Sequence, residues 1–444
     1  MKNTITVVRR SVTSLVFMLF SSLEWTQPAA AETVVLDSAA PTVGQPVLFA
    51  PPEAPPAPEP AAKAEENGAD EEKKEDEEEE EKIDPTIRPL QYFKDEFIAS
   101  CCDEHSWLKD LQLNGYLDQT FTYNFNRPNN PNTNTFRVYD RKHAQYMLNM
   151  FQLYALKDPT KESRWGFAAR LSMGLDADVN SPFNEENTDK IDFQELYASY
   201  LFDIGENGML VKAGRFTTLA GAEVVEQKDN WNISRSFLYG WAPFTHTGVR
   251  ANYKINDIYD FTFGVNRGWD TSRFDNNDSV SYEARLGAVC SDKLSMGTTF
   301  LFGPENEDND SDNRALLDYV VTYKFTKKLT GMLNVDIGQD GAGEGDGGTG
   351  TAHWHGLAAY LKYDCNDKLS YAWRGELVQD KDGNRTGVSQ TLWENTATAQ
   401  YKFRENLIGR LELRHDQSDE SVFTKKTGFS GSQNTIAASV MVTF

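Results

Sequence analysis

From Leu111 onward, apolar and polar residues alternate with a period of two. Trp165, Phe167, Ala169, Leu171, Met173 and Leu175 share one face of an extended segment, and Arg164, Gly166, Ala168, Arg170, Ser172 and Gly174 share the other. Leu317, Tyr319, Val321, Tyr323 and Phe325 alternate likewise with Asp318, Val320, Thr322 and Lys324. So do Leu369, Tyr371, Trp373 and Leu377 with Ser370, Ala372, Arg374 and Glu376. Successive side chains of a strand point to opposite sides, so each segment has one apolar and one polar face.

Sixteen such segments can be placed: 111–125, 145–156, 164–178, 191–202, 209–216, 244–254, 259–267, 281–289, 294–302, 316–325, 329–338, 354–363, 369–378, 391–403, 407–415 and 434–444. Their connections alternate between short turns, beginning near Lys157, Asp203, Ile255, Cys290, Thr326, Asp364 and Arg404, and long loops. The long ones begin near Asn126, Val179, Thr217, Gly268, Gly303, Gln339, Gln379 and Asp416. Short turns on one side and long loops on the other are what a closed wall of antiparallel hairpins produces, with the short side periplasmic. The turns Cys290-Ser291-Asp292-Lys293-Leu294-Ser295 and Cys365-Asn366-Asp367-Lys368-Leu369-Ser370 are weak copies of one another. At the end of the chain Ile436, Ala438, Val440, Val442 and Phe444 alternate with Ala437, Ser439, Met441 and Thr443.

Composition narrows the setting. Apolar residues make up 39% and aromatics 12%. After the first ~25 residues nothing approaches the ~20-residue apolar run of a membrane helix. Strands that cross lipid need only alternate apolar side chains, so low mean apolarity with many aromatics fits them. A soluble β-sandwich also alternates, but sixteen long strands in one run would be unusual for it. The fold class expected is all-β: a transmembrane antiparallel barrel of about sixteen strands over 111–444, preceded by a disordered acidic N-terminal segment.

Lys2, Arg9 and Arg10, the apolar run Val12 to Leu23, and Ala29-Ala30-Ala31 read as a secretory signal peptide over 1–31, which places the protein in the outer membrane after export. Residues 32–89 read as a disordered spacer: prolines between 51 and 60 alternate with Ala and Glu, and an acidic run follows. Between Glu65 and Lys82 it holds twelve acidic and three basic residues, a local charge of −9. Such a segment is a solvated tether or a contact to a periplasmic layer such as the cell wall. Residues 90–110 are then a periplasmic pre-barrel segment.

The net charge of −23 argues against a nucleic acid partner. Cys101, Cys102, Cys290 and Cys365 form no C-x-x-C pair; bridges from Cys101-Cys102 to the short turns carrying Cys290 and Cys365 are one option, free thiols the other. His353-Trp354-His355 has chelating spacing but adjoins a glycine-rich acidic loop that reads as merely flexible. No G-x-S-x-G, P-loop, dinucleotide or H-E-x-x-H motif occurs, so no enzyme, no cofactor and no metal are expected.

Asp192-Phe193-Gln194-Glu195-Leu196-Tyr197, Lys212-Ala213-Gly214-Arg215-Phe216, Gly221-Ala222-Glu223, Ser234-Arg235-Ser236-Phe237-Leu238-Tyr239-Gly240 and His246-Thr247-Gly248-Val249-Arg250 resemble the β-barrel porin-2 family of Gram-negative outer membranes. The resemblance extends less sharply over Trp107 to Phe444 and leaves out the spacer. It implies a passive porin, by analogy a homotrimer, and names no substrate.

In a porin, pore width and the charges at the narrowest point set selectivity. The longest loop, Thr217 to Pro243, is the third long one, the position that folds inward in porins of this size. It carries Glu223, Glu226, Lys228, Asp229 and Arg235. Polar strand faces supply Arg170, Glu195, Arg215, Arg250, Glu283, Arg285, Arg374, Glu376, Arg410, Glu412 and Arg414. Loop acids across from an arginine-rich wall would make a transverse field favouring small polar solutes and ions. The candidate constriction is Glu223, Glu226, Asp229, Arg235, Arg215, Arg250, Arg170, Glu195, Arg285 and Arg374. The wall is basic by seven to four and the loop acidic by three to two, which fixes no sign of selectivity. A wall-tethered structural protein and a sugar-specific channel are the rival functions.

Overall fold

A computed structural model of the protein describes residues 90–92, 94–96, 107–129, 132–180, 191–271, 275–343 and 350–444. The expected signal peptide, the spacer, Cys101 and Cys102 lie outside them. Cys290 and Cys365 sit in two short turns and are not bridged to each other.

The alternating segments become strands β1 (Leu111–Asn124), β2 (Gln145–Lys157), β3 (Trp165–Met173), β4 (Ile191–Phe202), β5 (Met209–Thr217), β6 (Thr245–Lys254), β7 (Tyr259–Asn266) and β8 (Ser281–Val289). They continue as β9 (Leu294–Asn306), β10 (Asn309–Lys324), β11 (Leu329–Gly343), β12 (Gly350–Asp364), β13 (Leu369–Asp380), β14 (Gln390–Arg404) and β15 (Leu407–Ser418). Two short strands, β16 (Phe423–Thr424) and β17 (Phe429–Ser430), pair within the last long loop, and β18 (Ser432–Thr443) ends the wall. Each long strand pairs antiparallel with its neighbours in the chain, and β18 pairs with β1 to close a barrel of sixteen strands. At this seam Gly115 and Phe444 exchange backbone hydrogen bonds of 2.7 and 2.9 Å. Such closure leaves no unpaired strand edge facing lipid.

Two elements differ from the sequence reading. The third segment was expected to run to 178, but β3 stops at Met173 and Leu175–Asn180 form a short helix, α1. Gly174, at φ +118°, ends the strand, and a Cβ there would lie 2.5 Å from the Asn149 carbonyl oxygen. A long loop was expected after Gly303; instead β9 and β10 run on as a ladder with only Glu307 and Asp308 between them, Asp308 at φ 56°. Residues 305–313 are polar on both faces, so the hairpin carries no alternation to read even though its backbone is extended.

Outward faces are apolar. Tyr146, Phe193, Tyr282, Phe302 and Trp393 lie exposed near the long-loop end, and Trp165, Phe202, Tyr259, Phe325, Tyr363, Tyr371 and Phe403 near the short-turn end. These two rings bracket the band that meets hydrocarbon, where amphipathic aromatics anchor at the water boundaries.

Candidate functional site

The β5–β6 loop, residues 218–244, folds into the barrel. Its sequence makes this favourable: Val224, Val225, Ile233, Phe237, Leu238, Tyr239, Trp241 and Phe244 would stand in water on the outside, and all are buried here. Most of them join one apolar cluster with inward wall residues Tyr116, Leu301, Leu316, Trp354, Tyr360, Val378 and Leu392. Burying such side chains contributes roughly 1.5–3 kcal/mol each, which favours this seat over solvent.

Polar groups fix the register. The Ala222 amide donates to Asn334 Oδ1 on β11 at 3.1 Å, and Thr299 Oγ1 on β9 donates to the Leu219 carbonyl at 2.9 Å. Glu376 on β13 accepts from the Phe237 and Leu238 amides at 2.6 and 2.7 Å. Those amides open a short helix, α2 (Phe237–Trp241), whose free N–H groups attract an anion. Glu412 on β15 accepts from the Ile233 and Ser234 amides at 2.5 and 3.0 Å, and Asn232 Nδ2 donates to Thr398 Oγ1 on β14 at 2.8 Å. Arg410 Nη1 donates to the Gln227 carbonyl at 3.0 Å.

Ion pairs complete the seat. Arg374 on β13 meets Glu223 of the loop at 2.7 Å and Glu394 of β14 at 2.5 Å, every partner almost fully buried. Glu226 pairs with Arg170 on β3 and accepts from Gln194 on β4 at 2.9 Å. Arg235 donates to the Val224, Val225 and Ile233 carbonyls of its own loop at 3.0–3.1 Å and lies over the Tyr139 ring of the β1–β2 loop at 5.2 Å. The loop thus touches β3, β4, β9, β11, β13, β14 and β15, which lie all round the wall.

A second segment enters from the β1–β2 loop. Arg137 pairs with Asp140 at 2.5 Å and with Asp416 of β15 at 2.7 Å, and the buried Tyr139 ring lies 5.8 Å from that of Tyr239. Burial pushes the Tyr139 hydroxyl well above its usual pKa. Towards the long-loop mouth, Arg385 lies over the rings of Trp354 and Trp269 at 5.0 and 5.9 Å, and Arg314 lies over Trp269 at 5.0 Å. Asp270 accepts from the Phe244 and Thr245 amides at 2.7 and 2.9 Å, and burial raises its carboxyl to about 7.

Beneath the loop, towards the short turns, lumen-facing side chains are more exposed and mostly cationic. Strand alternation puts Lys212, Lys254, Arg285, Lys324, Lys362 and Lys402 on the inner face there, with Asp260 and Asp364 as the acidic counterparts. Lys362 lies 3.2 Å from Asp364 and Arg285 lies 3.5 Å from Asp260. Lys254, Lys324 and Lys402 are exposed.

A family model described as "Putative beta-barrel porin-2, OmpL-like" matches residues 110–444. The chain belongs to this family. It is an outer-membrane porin, and the whole barrel lies within the match. No curated protein matches the chain in sequence. Among solved structures it is similar in fold to the anion-selective porin from Comamonas acidovorans (TM-score 0.52, 12% identity, 75% of this chain and 99% of that one). It is similar also to the outer-membrane channel DcaP of Acinetobacter baumannii (0.51, 11%, 75% and 97%) and to OmpT of Vibrio cholerae in its trimer form (0.50, 10%, 75% and 99%).

Of the residues singled out in the porin's sequence, Glu223 and Arg374 meet at the β13 side of the loop's seat, and Glu226, Arg170 and Glu195 meet at its β3–β4 side, Glu195 pairing with Arg170 at 2.9 Å. Arg250 and Arg215 hold the strands from which the loop leaves. Arg250 pairs with Glu283 at 2.7 Å and donates to the Thr217 carbonyl at 2.8 Å, while Arg215 pairs with Asp192 at 2.6 Å. Asp229 pairs with its neighbour Lys228, and Arg285 stands apart near Asp260. The sequence reading passed over Glu394, Asn334, Thr398 and Asp416, although all four occupy polar strand positions. It passed over Trp354, Val378 and Leu392 as well. Large apolar residues on otherwise polar strand faces were the available signal for an apolar object inside the lumen.

Proposed function

We propose that the lumen passes small polar solutes by passive diffusion, favouring anions, and does no covalent chemistry. The narrow section is formed by the 218–244 loop and the side chains that seat or flank it: Glu223, Glu226, Asp229, Arg235, Arg215, Arg250, Arg170, Glu195 and Arg374, with Arg285 in the vestibule beneath it. The observation that carries this reading is the loop's seat on seven strands, which leaves solute only the space beside it. Paired charges there neutralise each other, so the unbalanced charge of the path lies in the lysine-rich vestibule below. Cationic walls raise the local concentration of anions.

Conductance of the protein in a planar bilayer under a KCl gradient tests both parts. Discrete steps with a reversal potential on the chloride side are expected. An absence of conducting steps would remove the channel, and a potassium-side reversal would remove the anion preference.

The protomers are proposed to form a homotrimer. On the outward face Asn395, His415 and Asn434 stand in register across β14, β15 and β18, at a level where neighbouring positions are apolar. His415 Nδ1 and Asn434 Oδ1 lie 2.8 Å apart, and the polar capacity this contact leaves over finds partners on a second protomer but not in lipid. Cross-linking in detergent micelles should stop at a trimer; a protein that stays monomeric refutes the assembly.

A further inference from the structure

We propose that the acidic run Glu65–Lys82 of the same chain docks in the lysine-rich vestibule at the short-turn mouth and acts as a tethered counter-ion to it. The vestibule supplies the cationic half of this contact. Lys324 and Lys402 project from the inner ends of β10 and β14, both exposed and, among the described residues, within 4 Å of no carboxylate. Lys293, Lys327, Lys368 and Arg404 extend the same positive arc over the β8–β9, β10–β11, β12–β13 and β14–β15 turns, all exposed. Opposing them on that arc are Asp292, Asp364, Asp367 and Glu405. The run carries twelve acidic and three basic residues, a charge of −9, opposite in sign to the arc, where these six cations outnumber the four acids.

Connectivity puts the run at the correct end. β1 starts at Leu111 on the short-turn side, so the chain that precedes it emerges beside this mouth. Gln91 and Lys94 are held at this mouth by Leu113 and the Lys109 carbonyl at 3.5 and 3.2 Å, so the link from there to the run is residues 83–90, which reaches up to ~27 Å. A barrel of sixteen strands set ~4.8 Å apart and tilted ~40° is roughly 30 Å across, so the link and the run's own length together bring the arc within range. Tethering also makes the encounter intramolecular, at an effective concentration on the order of millimolar. The contact is electrostatic, so it weakens as the Debye length falls from ~10 Å at 0.1 M salt to ~3 Å at 1 M. Its consequence for conduction rests on the proposed anion path.

Zero-length carbodiimide coupling of the full chain in micelles, read by peptide mass spectrometry, tests the docking without reference to transport. Intramolecular links from Glu65–Glu81 to Lys324, Lys402, Lys327 or Lys368 are expected at 50 mM salt, with at least fivefold fewer at 1 M. Finding no such links, or links indifferent to salt, overturns the proposal. A full-length variant with the acids of the run changed to Gln and Asn should conduct anions better than the native chain at 0.1 M salt, and no differently at 1 M. Equal conductance of the two at 0.1 M would overturn the counter-ion role. If neither chain conducts while the links form, the channel reading fails and the docking stands.

Discussion

Glu223 and Arg374, 151 positions apart in sequence, meet at 2.7 Å inside the barrel, and this contact ties the inserted loop to β13. Both side chains are buried, and Arg374 also neutralises Glu394 at 2.5 Å. Such a pair is worth little compared with an apolar filling, but losing one partner strands the other charge.

Arg374→Ala should therefore cost about 3–5 kcal/mol at this seat, because Glu223 and Glu394 lose their common cation. The measurable result is faster tryptic cleavage at Lys228 and a larger unit conductance than the native porin shows. Native rates of cleavage together with native conductance would mean that the pair does not hold the loop.

Asp270 gives a pH signature. Its carboxyl titrates near 7 in the folded protein against an ordinary value of 3.8, because burial disfavours the charge. A raised pKa means that the folded state binds the proton more tightly. The linked stability is full below pH 3.8 and is lost as pH rises through about 7. Asp270→Asn keeps an acceptor for the Phe244 and Thr245 amides and cannot ionise. Thermal midpoints of native and variant protein should diverge between pH 4 and 8, with the native one falling further. Parallel curves would show that the group does not titrate in this window.

The vestibule can be inverted directly. Lys324→Glu combined with Lys402→Glu should move the reversal potential towards potassium, most strongly at 0.1 M salt, where charges are screened over ~10 Å. Both side chains are exposed, so folding should be unaffected. An unchanged potential would place the selective charges elsewhere along the path.

Lipid contact is testable at Leu411, 52% exposed on the outward face of β15 between Ala399 and Ala438. An arginine at mid-bilayer on a barrel wall costs about 2–4 kcal/mol. Leu411→Arg should lower the urea midpoint of unfolding in bilayers. No shift would mean that this position faces water or protein.

The barrel was legible in the sequence because membrane strands obey one binary rule, and that rule fails where lipid ends or where the inserted loop covers the inner face. β4 (Ile191–Phe202) falls where the alternation puts it, since lipid and lumen impose opposite demands on its two faces. Over residues 305–313 both faces of the β9–β10 hairpin are polar, and the rule has nothing left to report. The inserted loop was legible by its length and acids, less so by its partners. Which strand residue meets Glu223 depends on the curvature of a closed wall, and no spacing in the chain encodes that. Trp354 and Leu392 were the visible exceptions, apolar residues turned inward against a buried apolar loop.

The β1–β18 seam imposes an order on assembly. It joins the first strand to the last, so the ring cannot shut until every strand between has taken its place. Contacts so distant along a polypeptide form slowly. The 218–244 segment belongs to the middle of the chain and ends up enclosed on all sides. When Gly115 and Phe444 have come together, the whole wall surrounds it. Once they have, the segment can leave only through a mouth that Trp269, Trp354 and Arg385 crowd on one side.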